Sequence, residues 1–175
     1  MVEDLGVALI AAHAEVQKRV REEIRGASGS GADAIENLRY LEGCIAEQLR
    51  LWTPVPILLR RADASFSPAD GVAIGKGRKV LIHAGFYHRD PGIFGGRANN
   101  FSPERARDGS PAPYFFSAHR QSCAGRTLVM FVLKATLAAL LRERRFELVG
   151  PAVEPARIPY LYDHFGVVLR ARRDA

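Results

Sequence analysis

The chain has 175 residues, of which 47% are hydrophobic and 25% are charged. This balance suits one globular core and excludes fibrous and largely disordered proteins. The formal net charge of +6 would suit nucleic acid, an acidic protein or an anionic cofactor, but no recognised nucleic-acid-binding motif accompanies it. We therefore expect no nucleic-acid partner, and charge alone does not choose between the other two.

The N-terminal residues and the cysteines bear on the cellular compartment. No stretch reaches the roughly 18 uninterrupted apolar residues that suggest a membrane-spanning helix. The N-terminal residues "MVEDLGVALI" carry early acids instead of a basic leader. We expect a soluble, cytoplasmic chain with no membrane partner. Cys44 and Cys123 lie in different contexts and form no CxxC pair, so the pattern favours separate thiols over a disulfide or a zinc site.

Long amphipathic helices are predicted in the first third of the chain. Residues 3–25 predict a helix with these side chains on one face: Leu9, His13, Val16, Val20 and Ile24. The polar segment "GASGSGAD" then predicts a flexible loop near residues 26–33. A second helix is predicted from about residue 34 to residue 52, where "TPVP" ends it. Its apolar stripe comprises Leu38, Leu41, Ile45 and Leu49.

The rest of the chain predicts short strands, a long loop and a third helix. Strand-like pieces cover residues 57–61, 72–74 and 79–82, and residues 86–122 read as one irregular loop, which is unusual in a compact domain unless it is functional. Residues 124–145 predict a helix that is apolar on nearly every side apart from Lys134, and such a helix is normally buried all round. "FELVG" and "HFGVVLRAR" predict a terminal hairpin. The expected fold class is mainly α with small β elements (α+β), as a single domain over residues 1–175.

The second predicted helix carries an acid and a base on one face. Glu47 and Arg50 are three residues apart and are therefore neighbours. Such a pair is usually solvated and worth a few tenths of a kcal/mol. Both residues lie off the apolar stripe, however, where a tertiary partner could bury them. Arg105, in "FSPER", is a candidate for that partner.

These segments together resemble the cytochrome P450 family of haem-thiolate monooxygenases, over almost the whole chain. "EQLR" is similar to the Glu-x-x-Arg motif of the family's K helix, and "NNFSPER" resembles the stretch around the meander. The resemblance implies that Glu47, Arg50 and Arg105 form a buried structural triad. It also implies that Arg60, at the family's spacing after the motif, binds a haem propionate.

The segment "FFSAHRQSCAGR" is similar to the family's cysteine-ligand loop, Phe-x-x-Gly-x-Arg-x-Cys-x-Gly, with Phe116, Cys123 and Gly125 in register. The resemblance implies that Cys123 is the proximal thiolate ligand of the iron of haem b (iron protoporphyrin IX), and hence both the metal ligand and the catalytic residue. A helix start suits this role, because free backbone N–H groups and the helix dipole stabilise a thiolate. Phe116 would shield the sulfur, and Gly125 would let the backbone approach it closely. The alternative is a buried, inert cysteine at a helix start, as we expect for Cys44 on the second helix.

Two positions of this loop depart from the family pattern. His119 stands where the family usually has glycine, and Gln121 stands where it commonly has arginine. Arg120, one position away, could replace the missing propionate contact, or His119 could reach a propionate itself. Ligation of iron by His119 is implausible, because it shares a loop with Cys123.

The resemblance covers the C-terminal, haem-ligating half of the family's fold: J, K and L helices, meander, cysteine-ligand loop and terminal β hairpin. Members of the family are more than twice as long, and their oxygen-activating acid-and-threonine helix precedes the position matched by Met1. We therefore expect a partial domain whose missing N-terminal half, or a second chain, is a partner. Three functions stay open: the haem-ligating part of a monooxygenase, a stand-alone haem protein for electron transfer or sensing, and a structural remnant without haem.

Basic residues flank the cysteine loop or lie on the helix that follows it. In the family, an acidic ferredoxin or flavodoxin docks on this side of the haem. The alternative is a solvated basic face that partly complements the helix C-terminus. The residues concerned are Arg120, Arg126, Lys134, Arg142, Arg144 and Arg145.

Overall fold

The computed structural model describes residues 2–28, 31–68, 71–107, 111, 113–154 and 157–173. Its helices are α1 (Val2–Ala12), α2 (Ala14–Gly26), α3 (Ala32–Glu36), α4 (Arg39–Leu51), α5 (Ala84–Tyr87), α6 (Pro91–Phe94) and α7 (Arg126–Glu143). Its strands are β1 (Ile57–Arg61), β2 (Lys79–His83), β3 (Arg144–Gly150) and β4 (Val168–Arg173), and single 3-10 turns span Pro103–Arg107 and His119–Gln121. The predicted mixture of helices with small sheets is confirmed.

The first predicted helix is wrong as one continuous element, because it breaks at His13 between α1 and α2. The His13 backbone leaves the helical region, with φ −120° and ψ 89°. Its ring nitrogen Nδ1 lies 2.7 Å from the Leu9 carbonyl, and its ring packs 4.9 Å from that of Phe101. A side chain that bonds the preceding turn competes with the helical hydrogen bonds. The distant partner Phe101 therefore helps to place the break.

The second predicted helix is also divided, into α3 and α4 around Asn37 and Leu38. The start of α4 is stabilised from outside, because the Glu23 carboxylate accepts hydrogen bonds from the Tyr40 and Leu41 amides at 2.7 and 2.9 Å. A carboxylate at a helix N-terminus satisfies amides that have no partner within the helix. The loop between α2 and α3 is shorter than the predicted residues 26–33, because α2 includes Gly26 and α3 begins at Ala32. Residues 29 and 30 lie outside the described part of the chain.

The strands form two separate antiparallel pairs. β1 has the predicted bounds and pairs with β2, from Ile57 opposite His83 to Arg61 opposite Lys79. The piece predicted at residues 72–74 contributes only an isolated bridge, between Phe66 and Ile74. The predicted terminal hairpin is formed by β3 and β4.

The Gln17 side chain on α2 lies along one edge of the terminal hairpin. Its amide nitrogen donates to the Phe146 carbonyl at 2.8 Å, and its amide oxygen accepts from the Phe146 N–H at 2.7 Å. Gln17 is 4% exposed. The side chain therefore makes the pair of bonds that a neighbouring strand would make.

The core lies among α1, α2, α4 and α7. Its members with 2% exposure or less include Leu9, Ile10, Val20, Ile24, Leu38, Leu41, Cys44, Ile45, Leu49, Leu137, Leu141 and Ile158. Helix α7 is covered on one side only, because Leu128, Val129 and Val132 are exposed while Leu133 and Leu137 are buried. A helix of this composition is normally buried all round, and this chain alone leaves one face of it uncovered.

Glycine at position 43 lets the turn Pro103–Arg107 rest on α4. A Cβ at Gly43 would lie 2.3 Å from the Pro103 carbonyl oxygen. No side chain fits at that separation without a backbone shift.

In the part of the chain that the structure describes, no helix has the length and apolarity needed to cross a membrane.

Candidate functional site

Glu47, Arg50 and Arg105 meet in a buried charge cluster, the name used below for these residues. The Arg50 guanidinium makes a two-point contact with the Glu47 carboxylate, at 2.7 and 2.9 Å. Arg105 Nε lies 3.3 Å from the same carboxylate. The residues are 4%, 1% and 9% exposed, in chain order. Helix α4 and the turn Pro103–Arg107 thus supply a cluster with one more positive than negative charge.

Backbone carbonyls of residues 88–100 satisfy the excess donors of the charge cluster. Arg50 donates to the carbonyls of His88, Ala98 and Asn100, at 2.5, 2.8 and 3.2 Å. Arg105 donates to the carbonyls of Phe94 and Arg97, at 3.1 and 2.9 Å. The long loop predicted at residues 86–122 is therefore held by guanidinium groups. It begins within α5 and contains the short helix α6.

The segment of residues 114–125, called the cysteine loop below, carries Cys123 immediately before α7. The Cys123 thiol is free and exposed. Its backbone N–H donates to the Phe116 carbonyl at 2.9 Å, and its carbonyl accepts from the Arg126 N–H at 3.2 Å. Cys123 therefore lies three residues before α7, close to the end of the helix that carries amides without helical partners and the positive end of the dipole. Cys44 is 2% exposed, and burial raises the pKa of its thiol well above the ordinary value.

The cysteine loop turns through left-handed backbone conformations at residues other than glycine. Ser117 has φ 58° and His119 has φ 54°. The family's usual glycine at the position of His119 would adopt this conformation without strain. The loop therefore turns through a left-handed residue at His119, although this position lacks the family's glycine.

The residues proposed to bind propionates lie on or beside the cysteine loop. Arg60, on β1, donates through Nη2 to Ser117 Oγ at 2.5 Å. His119, Arg120 and Gln121 are exposed in the 3-10 turn before Cys123. The structure thus brings Arg60 to the loop and leaves the other candidates pointing away from the core.

Two buried residues of the long loop were missed by sequence reasoning. His88 is 0% exposed, and its Nε2 accepts a hydrogen bond from the Tyr114 N–H at 2.8 Å. Arg89 donates to the Leu51 carbonyl at the end of α4 and to the carbonyls of Ile158 and Pro159. The cluster of charged and polar residues in "HRDP" could have drawn attention to this segment. The local sequence does not indicate which of its side chains are buried.

Burial changes the protonation of both missed residues. It lowers the pKa of His88 from 6.5 to about 4, with the Arg50 cation as the next cause. It lowers the pKa of Arg89 from its ordinary value to about 10, again with Arg50 contributing. His88 is therefore neutral near pH 7, and Arg89 remains charged.

Lys134 does not belong to the exposed basic group. It is 5% exposed, and its Nζ donates to the Glu36 carbonyl at 2.9 Å and to the Glu42 carboxylate at 3.0 Å. The other predicted basic residues are exposed: Arg120, Arg126, Arg142, Arg144 and Arg145. A buried lysine is tied to α3 and α4 and is not offered to a partner.

The surroundings of Cys123 fit an apolar macrocycle that carries carboxylates. Leu128, Val129 and Val132 follow Gly125 at helical spacing and expose 67%, 38% and 45% of their surfaces. Arg60 supplies a cation at the loop. A Cβ at Gly125 would meet Cys123 Sγ at 3.8 Å, an ordinary contact. Contacts within this chain therefore do not require glycine at position 125. That Gly125 lets the backbone come close to a bound haem stays a prediction.

Comparison with known proteins identifies the family of this chain. The sequence profile of the family "Cytochrome P450" matches residues 4–170. The chain is 36% identical to "Probable cytochrome P450 6u1" of Drosophila melanogaster, covering 94% of this chain and 35% of that protein. It is 35% identical to "Cytochrome P450 4A2" of Rattus norvegicus, covering 86% and 30%, and 35% identical to "Cytochrome P450 71A18" of Arabidopsis thaliana, covering 73% and 28%.

The chain belongs to the cytochrome P450 family. It spans about a third of the length of these curated relatives.

Proposed function

We propose that this chain is the haem-ligating, C-terminal portion of a cytochrome P450 monooxygenase. In this proposal the segment α1–α2 corresponds to the family's J helix, α4 to the K helix, α7 to the L helix and β3–β4 to the terminal hairpin. The observation that carries it is the free, exposed thiol of Cys123, placed directly before an α7 face that exposes apolar side chains.

Each residue of the site would act through its position. The Cys123 thiolate would hold the iron, stabilised by the amides at the start of α7, and Phe116 would keep water from the sulfur. Arg60, with His119 or Arg120, would hold the propionates. When bound, haem with a thiolate ligand supplies oxygen activation, because electron donation from sulfur favours O–O cleavage. The charge cluster contacts no reacting atom in this scheme and fixes the loop that supports the site.

A visible absorption spectrum of the purified chain with added haem tests the assignment. The reduced, carbon-monoxide-treated protein should show the red-shifted band of a thiolate-ligated haem. Cys123→Ser should abolish that band, whereas the control Cys44→Ser should keep it. A Cys123→Ser protein that retains the band would show that the assignment is wrong. A wild-type chain that binds no haem would favour the structural remnant.

A stand-alone haem protein for electron transfer or sensing is the second candidate. The exposed face of α7 favours it, because a haem on this chain alone would stay open to water. Activated oxygen would then leak as peroxide. Turnover with an electron donor, a ferredoxin pair and a substrate panel separates the two functions. Tight coupling of electrons to one product by this chain favours the monooxygenase, whereas coupling that appears only with a second polypeptide indicates a complemented enzyme.

The exposed basic residues near the cysteine loop support an acidic redox partner, a ferredoxin or a flavodoxin. Arg126 lies on the loop side of α7, with its guanidinium 5.9 Å from the centre of the Phe116 ring. Electrostatic docking weakens as salt rises. Binding of an acidic ferredoxin should therefore fall at high salt and in Arg126→Glu, and affinity that does not change with salt would contradict this partner class.

A further inference from the structure

His88 stands between the charge cluster and the cysteine loop. Its carbonyl accepts a hydrogen bond from Arg50 Nη1 at 2.5 Å. Its ring accepts the Tyr114 N–H through Nε2 at 2.8 Å. One residue therefore takes a bond from the charge cluster through its backbone and a bond from the first residue of the loop through its side chain.

The direction of the second bond fixes the form of the ring. A backbone N–H can only donate, so Nε2 is the unprotonated nitrogen and a neutral ring carries its hydrogen on Nδ1. Among the described residues, Nδ1 has no hydrogen-bond partner. The Tyr114 bond is thus the one polar contact of this ring within that part of the chain, and protonation of Nε2 would remove it.

The path continues from Tyr114 to Cys123. The Tyr114 carbonyl accepts the Ser117 N–H at 2.9 Å, and the Phe116 carbonyl accepts the Cys123 N–H, also at 2.9 Å. Apolar packing runs alongside, because the Phe115 ring lies 6.3 Å from that of His88 and 4.9 Å from that of Phe116. The backbone position of Cys123 is therefore connected to Arg50 through consecutive contacts.

We propose that His88 is a positioning residue: the bond from Tyr114 to its Nε2 ties the cysteine loop to the charge cluster and so sets the place of the Cys123 thiol. The proposal deepens the proposed function and rests on it for the role of the thiol. Its structural part, the coupling of His88 to the Cys123 backbone, can be measured without haem.

Amide hydrogen exchange of the haem-free protein tests the coupling. His88→Asn shortens the side chain and removes the acceptor, whereas His88→Gln can place its amide oxygen near the position of Nε2. In His88→Asn the Tyr114 amide should exchange about fivefold faster, the change expected from loss of one hydrogen bond. The Cys123 amide should also exchange faster, by about twofold or more. His88→Gln should restore both rates to near the wild-type values.

His13→Asn is the matched control, since its ring, like that of His88, contacts one backbone polar group and packs near a phenylalanine. Both partners of His13, the Leu9 carbonyl and the Phe101 ring, lie outside the cysteine loop. It should leave the Cys123 amide unchanged. Equal Cys123 exchange in wild type, His88→Asn and His88→Gln would overturn the proposal. So would equal acceleration by the His13 control, because it would indicate general loosening.

The haem-loaded proteins supply the second measurement. The share of reduced, carbon-monoxide-treated protein with the red-shifted thiolate band should fall in His88→Asn and return in His88→Gln. If wild type lacks that band, the proposed function fails, and the exchange rates still decide the coupling. If wild type has the band and both variants match it, His88 does not position the thiol.

Discussion

At the scale of single residues, the left-handed backbone of His119 makes the cysteine loop testable by one substitution. A φ of 54° costs a residue with a Cβ about 1–2 kcal/mol. Glycine avoids this strain but costs about 0.5–1 kcal/mol, because it loses more conformational entropy on folding. We expect His119→Gly to raise the free energy of unfolding by the difference, about 0.5–1 kcal/mol, in chemical denaturation. Ala118→Gly is the control: it should destabilise the protein, because Ala118 is extended, with φ −149°. A destabilised His119→Gly would mean that the histidine side chain makes a compensating contact.

The buried ring of His88 predicts a pH dependence of stability. Its pKa falls from 6.5 to about 4 on folding, so between these values the unfolded chain binds a proton that the folded protein does not. The free energy of unfolding should therefore decrease as the pH falls from 6.5 to about 4, and His88 should contribute no further change below that. The groups that face the ring are Arg50, Tyr87 and Phe115. Chemical denaturation at a series of pH values gives the free energy of unfolding as a function of pH. Over this range the free energy should fall more steeply for wild type than for His88→Gln, and equal slopes would contradict the prediction.

At the scale of elements, the charge cluster joins α4 to the turn Pro103–Arg107. Glu47→Gln leaves two buried guanidinium groups without their carboxylate. Breaking a buried pair in this way costs about 3–5 kcal/mol. We expect a large fall of the melting temperature together with loss of haem binding. The control is Glu147→Gln, whose partners Arg170 and Arg172 are more than half exposed, and it should cost less than about 1 kcal/mol. Equal effects of the two substitutions would place the charge cluster among ordinary surface pairs.

The contact between α4 and the same turn also depends on Gly43. A methyl group there would lie 2.3 Å from the Pro103 carbonyl oxygen, so Gly43→Ala should destabilise the protein by about 1–3 kcal/mol despite the better helix propensity of alanine. Gly26→Ala is the matched control, because no atom lies within 4 Å of its added Cβ. It should be neutral or stabilising by up to about 1 kcal/mol. Denaturation of both variants measures the difference, and a neutral Gly43→Ala would show that the turn can shift.

Local pattern predicted those elements whose determinants are local. β1 follows from a short run of apolar and β-forming residues before a turn, and the stripe of α4 follows from helical spacing. The breaks at His13 and Leu38 depend on partners far along the chain, Phe101 for the first and Glu23 for the second. The same holds for the site. Cys123 was predicted from its motif, but His88 was not, because Tyr114, its hydrogen-bond partner, lies 26 residues away.

At the scale of the whole molecule, the exposed apolar face of α7 predicts self-association. Leu128 and Val132 are one helical turn apart and expose 67% and 45% of their surfaces, and apolar side chains grouped on one exposed face favour an interaction surface. The haem-free chain should associate as its concentration rises. Leu128→Lys with Val132→Lys should reduce association while changing stability by less than about 0.5 kcal/mol. Light scattering measures the first effect and denaturation the second.

Leu137→Lys is the control for that pair of substitutions, since Leu137 is 0% exposed on the opposite side of α7. It should unfold the protein. If the double variant associates at the same protein concentration as wild type, another surface is responsible for the association.

The Gln17 amide has a consequence for how this chain meets copies of itself. An open strand edge offers unpaired N–H and C=O groups that template a strand from another molecule. At Phe146 both groups are already taken by one side chain, at 2.8 and 2.7 Å. Association through α7 can therefore stay a reversible, side-chain contact, because the adjoining edge of β3 is closed at that point to the growth of an intermolecular sheet.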